Sequence, residues 1–205
     1  LEEDLNLYAY VYNDPMDRVD PRGEDSYVVA RPLDVPVLDH YVAHAYVVTN
    51  AQYIGDPRAT VTSFGELKNG NMGNVSNTQR ASDFSKTTAA TDLKSWLGRT
   101  PESTRNLSKI NAPDALVSSV AAAVKEDKPY AMIPNGDGSK AADAGLRQVN
   151  SNAAAFAVAD RAQAIATGNA DSQVPRNSSR ALPGQAESGR VEFKCTTSPG
   201  AKPGC

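Results

Sequence analysis

The two histidines of the chain are its first candidates for acid–base chemistry. An imidazole changes its charge near neutral pH, so a well-positioned histidine can accept the proton of a nucleophile. His44 lies between Ala43 and Ala45, two small neighbours that leave room around the ring, whereas His40 comes earlier and follows Asp39. Two interpretations stay open for each histidine: a catalytic base, or an ordinary solvated or hydrogen-bonded side chain.

A serine at the start of an alanine-rich segment is the candidate nucleophile. Ser151 is flanked by Asn150 and Asn152 and precedes residues 153–166, which predict the strongest helix of the chain. The first backbone N–H groups of a helix lack partners within it, and the helix dipole makes this end positive, so it can stabilise an oxyanion. A serine here is also a common N-cap residue. Both interpretations of Ser151 stay open.

The elements that must position these residues follow from the residue pattern. β-branched and aromatic runs predict strands, apolar residues at helical spacing predict helices, and Pro, Gly and Asn mark their ends. The predicted strands cover residues 41–49, 59–64, 107–110, 130–134 and 191–193, with an edge strand in the irregular segment 25–40. The predicted helices are one or two over 78–97, one that opens at Pro113-Asp114, and one over 153–166.

These elements predict an α+β fold, a small antiparallel sheet with helices packed on one side. The sequence divides into residues 1–24, a main domain over 25–168, and a loop-rich C-terminal part over 169–205. The apolar residues expected to line one side of the helical segment 78–97 are Ala81, Phe84, Leu93, Trp96 and Leu97.

The order of the candidate residues resembles a known catalytic arrangement. A strand carries His44, the next strand carries Ser63 before Phe64-Gly65, and a later helix start carries Ser151. This order resembles the circularly permuted branch of the NlpC-type papain-like superfamily, which includes the lecithin:retinol acyltransferase-like proteins. The resemblance implies that His44 is the base, Ser63 orients it and Ser151 is the nucleophile, with Asn150 and Asn152 supporting the oxyanion site.

One position departs from that family, because its nucleophile is usually a cysteine in an Asn-Cys pair and this chain has Ser151. A serine hydroxyl has no accessible anion near neutral pH, so it depends on a base within hydrogen-bond reach. The departure favours ester chemistry over thiol-type chemistry.

Other chemistries have weaker signals. Arg58, Thr62-Ser63 and Glu66 resemble the Arg, Ser-Thr-Ser and Glu elements of ADP-ribosyltransferases, although here they fall in one short stretch. The glycines of the 65–73 loop are not followed by the Lys-Ser/Thr of a phosphate loop. Cys195 and Cys205 lack metal-ligand spacing, and they are either a small disulfide loop or two unpaired thiols. The sequence therefore predicts neither a metal site nor a cofactor.

Net charge and hydropathy limit the classes of partner that the sequence predicts. The net charge is −3, which argues against the basic stripe of a nucleic-acid-binding protein without excluding a nuclease. The sequence has no apolar run long enough to span a membrane and no signal peptide at its start, which is what we expect of a fragment of a longer protein exported by a dedicated machine.

The start of the chain carries a long and specific motif. Residues 7–12 alternate as a strand does, and two Asp-Pro pairs and a glycine then close a stiff turn. This stretch resembles the end of the core of RHS (YD-repeat) proteins, where it marks the junction before an unrelated C-terminal toxin. The junction motif here comprises Asp14, Pro15, Asp20, Pro21 and Gly23.

The RHS resemblance implies a shell of which residues 1–24 are the edge, and a toxin cargo that follows. In that family the junction is linked to self-cleavage, for which Asp14 and Asp20 are the local candidates. The alternative is a rigid turn in which Asp20 accepts hydrogen bonds from backbone N–H groups. The implied partners are the RHS shell, a secretion machinery and a cognate immunity protein. The implied location is secreted and delivered into a target cell.

The sequence thus predicts a toxin effector that hydrolyses or transfers an acyl group of an amide or ester, such as a cell-wall peptide or a lipid, by a Ser/His mechanism. The alternatives are an ADP-ribosyltransferase or nuclease toxin, and a non-enzymatic binding domain.

Overall fold

The computed structural model describes residues 25–33, 41–98, 106–132 and 148–194, and all structural statements below concern these ranges. The junction residues Asp14 to Gly23, the histidine His40 and both cysteines lie outside them, so the expectations attached to those residues stay predictions.

Six strands, three helices and one 3₁₀ helix form the described fold. The strands are β1 (Asp25–Pro32), β2 (Ala43–Ala51), β3 (Thr60–Thr62), β4 (Phe64–Glu66), β5 (Met72–Asn74) and β6 (Leu107–Ile110). The helices are α1 (Asp83–Leu97), α2 (Asp114–Ala122) and α3 (Ser151–Thr167), and the 3₁₀ helix covers Gln185–Arg190.

The main sheet is antiparallel and has the order β3-β2-β1-β6, while β4 and β5 form a separate two-stranded ribbon. This is the predicted α+β class. β3 pairs with β2 only between Val47 and Thr49, so the edge of β2 from Ala43 to Tyr46 is not covered by a strand.

The larger core lies between one face of the sheet and helices α2 and α3. Alternate residues of β1 and β2 supply the sheet side of this core, namely Val28, Ala30, Ala43, Ala45 and Val47. Helix α3 is almost entirely buried over its first nine residues, and most of them are alanines. Because alanine favours helix and has a small side chain, α3 can lie close against the sheet without losing stability.

The opposite face of the sheet packs against α1. Trp96 of α1 lies among Val29, Tyr46 and Val48, and its indole N–H donates to the Asp56 carbonyl at 2.9 Å. Helices therefore contact both faces of the sheet, and the residues of β1 and β2 that alternate with the larger core point toward α1.

The buried side of α1 differs from the predicted apolar side. Phe84, Leu93 and Leu97 are exposed by 41%, 48% and 43%, whereas the side of α1 that packs inward carries Ser85, Thr88, Asp92 and Trp96. Ala81 and Trp96 are buried as predicted. The prediction was wrong for the three exposed residues, because the other inward side chains of the helix bind polar groups of the sheet and the ribbon. The Ser85 hydroxyl, for example, accepts a hydrogen bond from the Glu66 backbone N–H at 2.8 Å.

Two strand predictions also need correction. The strand in segment 25–40 is β1, which lies inside the sheet between β2 and β6 and is not an edge strand. The residues before Pro32 are mostly buried on both faces, and Pro32 falls at the last position of the strand, where its missing N–H does not interrupt the sheet. The predicted strand 59–64 divides at Ser63 into β3 and the start of β4, which belong to different sheets.

The segment after α3 contributes to the larger core although it is mostly irregular. Val174, Leu182 and Val191 are buried there, and Gly168 ends α3 in the left-handed conformation at φ 67°. Phe193 forms a single bridge with Val124 where a short strand was predicted. Among the helices of the described ranges, none is both long and apolar enough to cross a bilayer.

We expect Trp96→Ala to lower the free energy of unfolding by about 3–5 kcal/mol, because it empties the smaller core and removes the indole hydrogen bond. Urea denaturation followed by far-UV circular dichroism measures the loss. Leu93→Ala on the exposed side of the same helix is the control and should change stability by less than about 0.5 kcal/mol. Equal effects of the two substitutions would contradict the packing described for α1.

Candidate active site

The uncovered edge of β2 is occupied by the side chain of Asn152. Its carbonyl oxygen accepts from the Ala45 N–H at 2.6 Å, and its amide donates to the Ala43 carbonyl at 3.1 Å. The amide therefore pairs with β2 as a neighbouring strand would, on either side of His44. Because Ser151 precedes Asn152, this contact brings the start of α3 next to His44.

The start of α3 is fixed by a second asparagine and by the chain near Gly184. Asn150 is the N-cap, and its side-chain oxygen accepts from the Ala153 N–H at 3.0 Å. The amides of Asn150 and Asn152 both donate to the Pro183 carbonyl, at 2.8 and 2.9 Å. Gly184 has φ 76°, and a Cβ there would meet the Asn150 side chain at 2.6 Å, so the close approach requires glycine.

The nucleophile and base predicted from the sequence lie in hydrogen-bond contact. Ser151 Oγ is 2.8 Å from His44 Nδ1, although the two residues are 107 positions apart in the sequence. Both side chains are buried, with 4% and 3% of their surface exposed. N-capping is performed by Asn150, so the Ser151 hydroxyl is directed at the imidazole and does not serve as the cap.

Asp92 of α1 contacts the other nitrogen of the imidazole. Its Oδ2 is 3.0 Å from His44 Nε2, and its Oδ1 accepts from Arg31 Nε at 2.6 Å. Arg31 and His44 are register partners on neighbouring strands, so one carboxylate spans both side chains. An ionised acceptor at Nε2 favours the neutral tautomer that carries its proton on Nε2, which leaves the Nδ1 lone pair for the serine.

The Asp92 carboxyl stays ionised despite complete burial. Burial alone would raise its pKa, but the charge that His44 carries when protonated, the hydrogen bond of His44, the charge of Arg31 and a hydrogen bond with Ser63 together hold that pKa below its usual range. Arg31 is itself fixed by donation to the Pro32 and Thr88 carbonyls. A charge held in this way is stable in the interior because every partner is in place.

The sequence predicts that Ser63 contacts the imidazole, whereas in the structure Ser63 contacts Asp92. The Ser63 side chain is buried and hydrogen-bonds Asp92, and Asp92 is the residue that contacts Nε2 of His44. Sequence reasoning missed Asp92. The available signal was its spacing, since Asp92 lies four residues after Thr88 and four before Trp96 and therefore shares their side of the helix.

A small cavity of about 20 Å³ adjoins the serine and the imidazole. This volume accommodates about one water molecule, or the carbonyl group of a substrate. Apart from the site residues already named, the wall is mostly apolar or uncharged; it includes Leu33, Val42, Phe84, Tyr130, Met132 and Pro183. Phe84 is 41% exposed, so the wall reaches the protein surface on this side.

The residues of the alternative chemistries lie elsewhere or have other contacts. Arg58 pairs with Asp56 in the turn before β3, and Ser63 is bound to Asp92. Within the described ranges, His, Cys, Asp and Glu side chains do not cluster in groups of three or more that could bind a metal ion. The side chains of Asn150 and Asn152 are engaged in structural contacts that support the helix start.

The fold and the site define an α+β domain in which a serine, a histidine and an aspartate form a continuous hydrogen-bonded line. No protein-family model, curated protein or solved structure matches the chain. The assignment of function must therefore come from the chemistry of these side chains.

We expect Asn152→Ala to destabilise the protein and to lower any activity that needs Ser151. The substitution leaves a buried N–H and a buried carbonyl of β2 without partners, at about 1–3 kcal/mol each. Thermal unfolding measures the loss. Asn169→Ala, just beyond the end of α3, is the control for an exposed asparagine. A melting temperature of Asn152→Ala equal to that of the control would contradict the contact with β2.

The pH dependence of stability tests the state of Asp92. Because its folded pKa is lower than the unfolded value of about 3.9, ionised Asp92 stabilises the fold above that value and the contribution is lost as pH falls through the folded pKa. The difference in unfolding free energy between the wild type and Asp92→Asn should therefore shrink as the pH falls below the unfolded value of about 3.9. Urea denaturation gives both free energies, and a difference that stays constant as the pH falls below this value would argue against an ionised Asp92.

Proposed function

We propose that the protein is an acyl-transfer enzyme in which Ser151 is the nucleophile, His44 the general base, and Asp92 the residue that orients His44. The observation that carries the proposal is the line of hydrogen bonds from Ser151 Oγ to His44 Nδ1 and from His44 Nε2 to Asp92. A base within hydrogen-bond reach of the hydroxyl, itself oriented by a third group, is the arrangement that activates a serine.

The reaction begins with attack of Ser151 Oγ on a carbonyl carbon. The hydroxyl proton passes to His44 Nδ1, and the resulting imidazolium is stabilised by the Asp92 carboxylate at Nε2. The tetrahedral intermediate collapses, the leaving group takes the proton from Nδ1, and an acyl-serine remains. Water then attacks the acyl-serine with His44 again as base, which releases the acid and restores the hydroxyl; an alcohol or amine in place of water gives transfer.

Backbone N–H groups at the start of α3 support the oxyanion. Asn150 accepts from the N–H groups of Ala153 and Ala154, through its side chain and its carbonyl respectively. The N–H groups of Ser151 and Asn152 come before these, at the positive end of the helix. In our proposal they stabilise the negative charge that develops beside Ser151.

The substrate class is an ester or an amide, with an uncharged acyl portion at the site. The wall of the cavity is apolar near Leu33, Val42 and Met132, which suits an acyl group better than a charged one. The biological setting that we propose is a toxin effector carried in an RHS shell, secreted, and neutralised in the producer by an immunity protein. This part rests on the motif in residues 7–23 alone.

We expect Ser151→Ala and His44→Ala each to lower the rate of hydrolysis of p-nitrophenyl butyrate by a factor of about 10³ or more. The reason is that the nucleophile and its base act only together, so removal of either one disables both. Release of p-nitrophenolate measures the rate, and expression in a susceptible bacterium without the immunity protein measures toxicity. Both substitutions should leave the far-UV circular dichroism spectrum unchanged.

Ser119→Ala is the matched control, since Ser119 is exposed on α2 and its hydroxyl is outside the site. The control should retain wild-type hydrolysis and toxicity. Retention of both by Ser151→Ala and His44→Ala would remove the proposed mechanism. The alternative toxin classes would be favoured if the purified wild-type protein consumed labelled NAD or degraded RNA and the Ser151→Ala variant did the same.

A further inference from the structure

Tyr130 is held beside the nucleophile by contacts on both sides of its backbone. Its N–H donates to the Gly70 carbonyl at 3.0 Å, and it forms a parallel bridge with Val149. The next residue, Ala131, donates to the Val149 carbonyl at 3.0 Å. Because Val149 is two residues before Ser151, the tyrosine and the start of α3 are fixed relative to each other.

The side chain of Tyr130 borders the same cavity as the nucleophile and the base. Tyr130 lines this cavity with His44 and Ser151, and its phenol interacts with the Ser151 side chain. Burial, with the negative charge of Glu66 adding to it, raises the pKa of Tyr130 to about 12. The phenol is therefore protonated throughout the neutral range and is available as a hydrogen-bond donor.

A serine hydroxyl has one proton and two acceptor lone pairs. In the proposed reaction the proton of Ser151 passes to His44 Nδ1, and one lone pair of Oγ becomes the bond to the carbonyl carbon. The carbonyl oxygen is attached to the same carbon. A protonated phenol that lines the cavity beside Oγ therefore lies close to the developing negative charge and has a proton to donate to it.

We propose that Tyr130 is a catalytic residue whose hydroxyl donates a hydrogen bond to the oxyanion of the tetrahedral intermediate. This inference rests on the proposed function of Ser151. The phenol keeps its proton throughout, so the step needs no further proton acceptor: the charge forms on the carbonyl oxygen and disappears when the leaving group departs. Tyr130 thus supplements the N–H groups at the start of α3 with a side-chain donor from another segment.

The test is Tyr130→Phe in the hydrolysis of p-nitrophenyl butyrate. Removal of one oxyanion donor should lower kcat by a factor of about 10²–10³, with KM changed by less than about twofold. Tyr41→Phe is the matched control, because Tyr41 is 70% exposed, and it should retain wild-type kcat and KM. A kcat of Tyr130→Phe within about twofold of the wild type, or an effect confined to KM, overturns the inference.

A fluorinated tyrosine at position 130 keeps the ring and the hydroxyl but ionises at lower pH. We expect this variant to lose kcat at an alkaline pH where the wild type stays active, because an ionised phenol cannot donate. This measurement also covers the case in which Tyr130→Phe fails to fold. Identical profiles of kcat against pH for the fluorinated protein and the wild type, measured across the pH range in which the fluorinated phenol ionises, also overturn the inference.

Ser151→Ala in the same assay distinguishes a failure of the role of Tyr130 from a failure of the proposed function. If Ser151→Ala is inactive and Tyr130→Phe is fully active, only the role of Tyr130 fails. If Ser151→Ala is as active as the wild type, the proposed function fails, and the role of Tyr130 that rests on it fails as well.

Discussion

The whole site depends on one side-chain amide that pairs with an uncovered strand edge. β3 leaves the backbone of β2 unpaired beside His44, and Asn152 supplies the missing donor and acceptor to Ala43 and Ala45. Unpaired backbone groups in the interior are costly, so this contact is strongly favoured in the folded chain. Because Ser151 precedes Asn152 at the start of a rigid, buried helix, satisfying the strand edge also sets the distance between hydroxyl and imidazole. One contact thereby stabilises the fold and assembles the reacting groups.

A second constraint is the carboxylate on the inward side of α1. Asp92 lies in the interior only because Arg31, His44 and Ser63 each offset part of the cost of its burial. Removal of a single partner leaves a buried charge poorly compensated, so the cluster acts as a unit. Its arrangement explains why polar side chains accompany Trp96 on the inward side of α1. For the proposed reaction the same cluster fixes the orientation of the imidazole before the substrate binds, which reduces reorganisation during proton transfer.

Local pattern was sufficient to predict the elements that carry the serine and the histidine, and insufficient to predict what joins them. The strand around His44 follows from its β-branched and aromatic residues, and the helix after Ser151 from its alanines. Hydrophobic pattern identified Trp96 on the inward side of α1 but missed Asp92 there, because the groups that bind Asp92 come from strands far away in the sequence. The same reason explains why Ser63 was expected to contact His44 directly. Periodicity describes one element at a time, whereas a buried polar cluster is stable only when several elements meet.

Covalent labelling by a fluorophosphonate, which phosphonylates activated serines, is the most direct test of the central claim. Digestion with trypsin should yield the peptide of residues 148–161, in which Ser151 is the only hydroxyl side chain, so mass spectrometry identifies the labelled atom without ambiguity. We expect one adduct per chain, on that peptide, and its loss in His44→Ala. An unmodified peptide in the folded wild-type protein, or equal labelling of the wild type and His44→Ala, would contradict the proposed roles of Ser151 and His44.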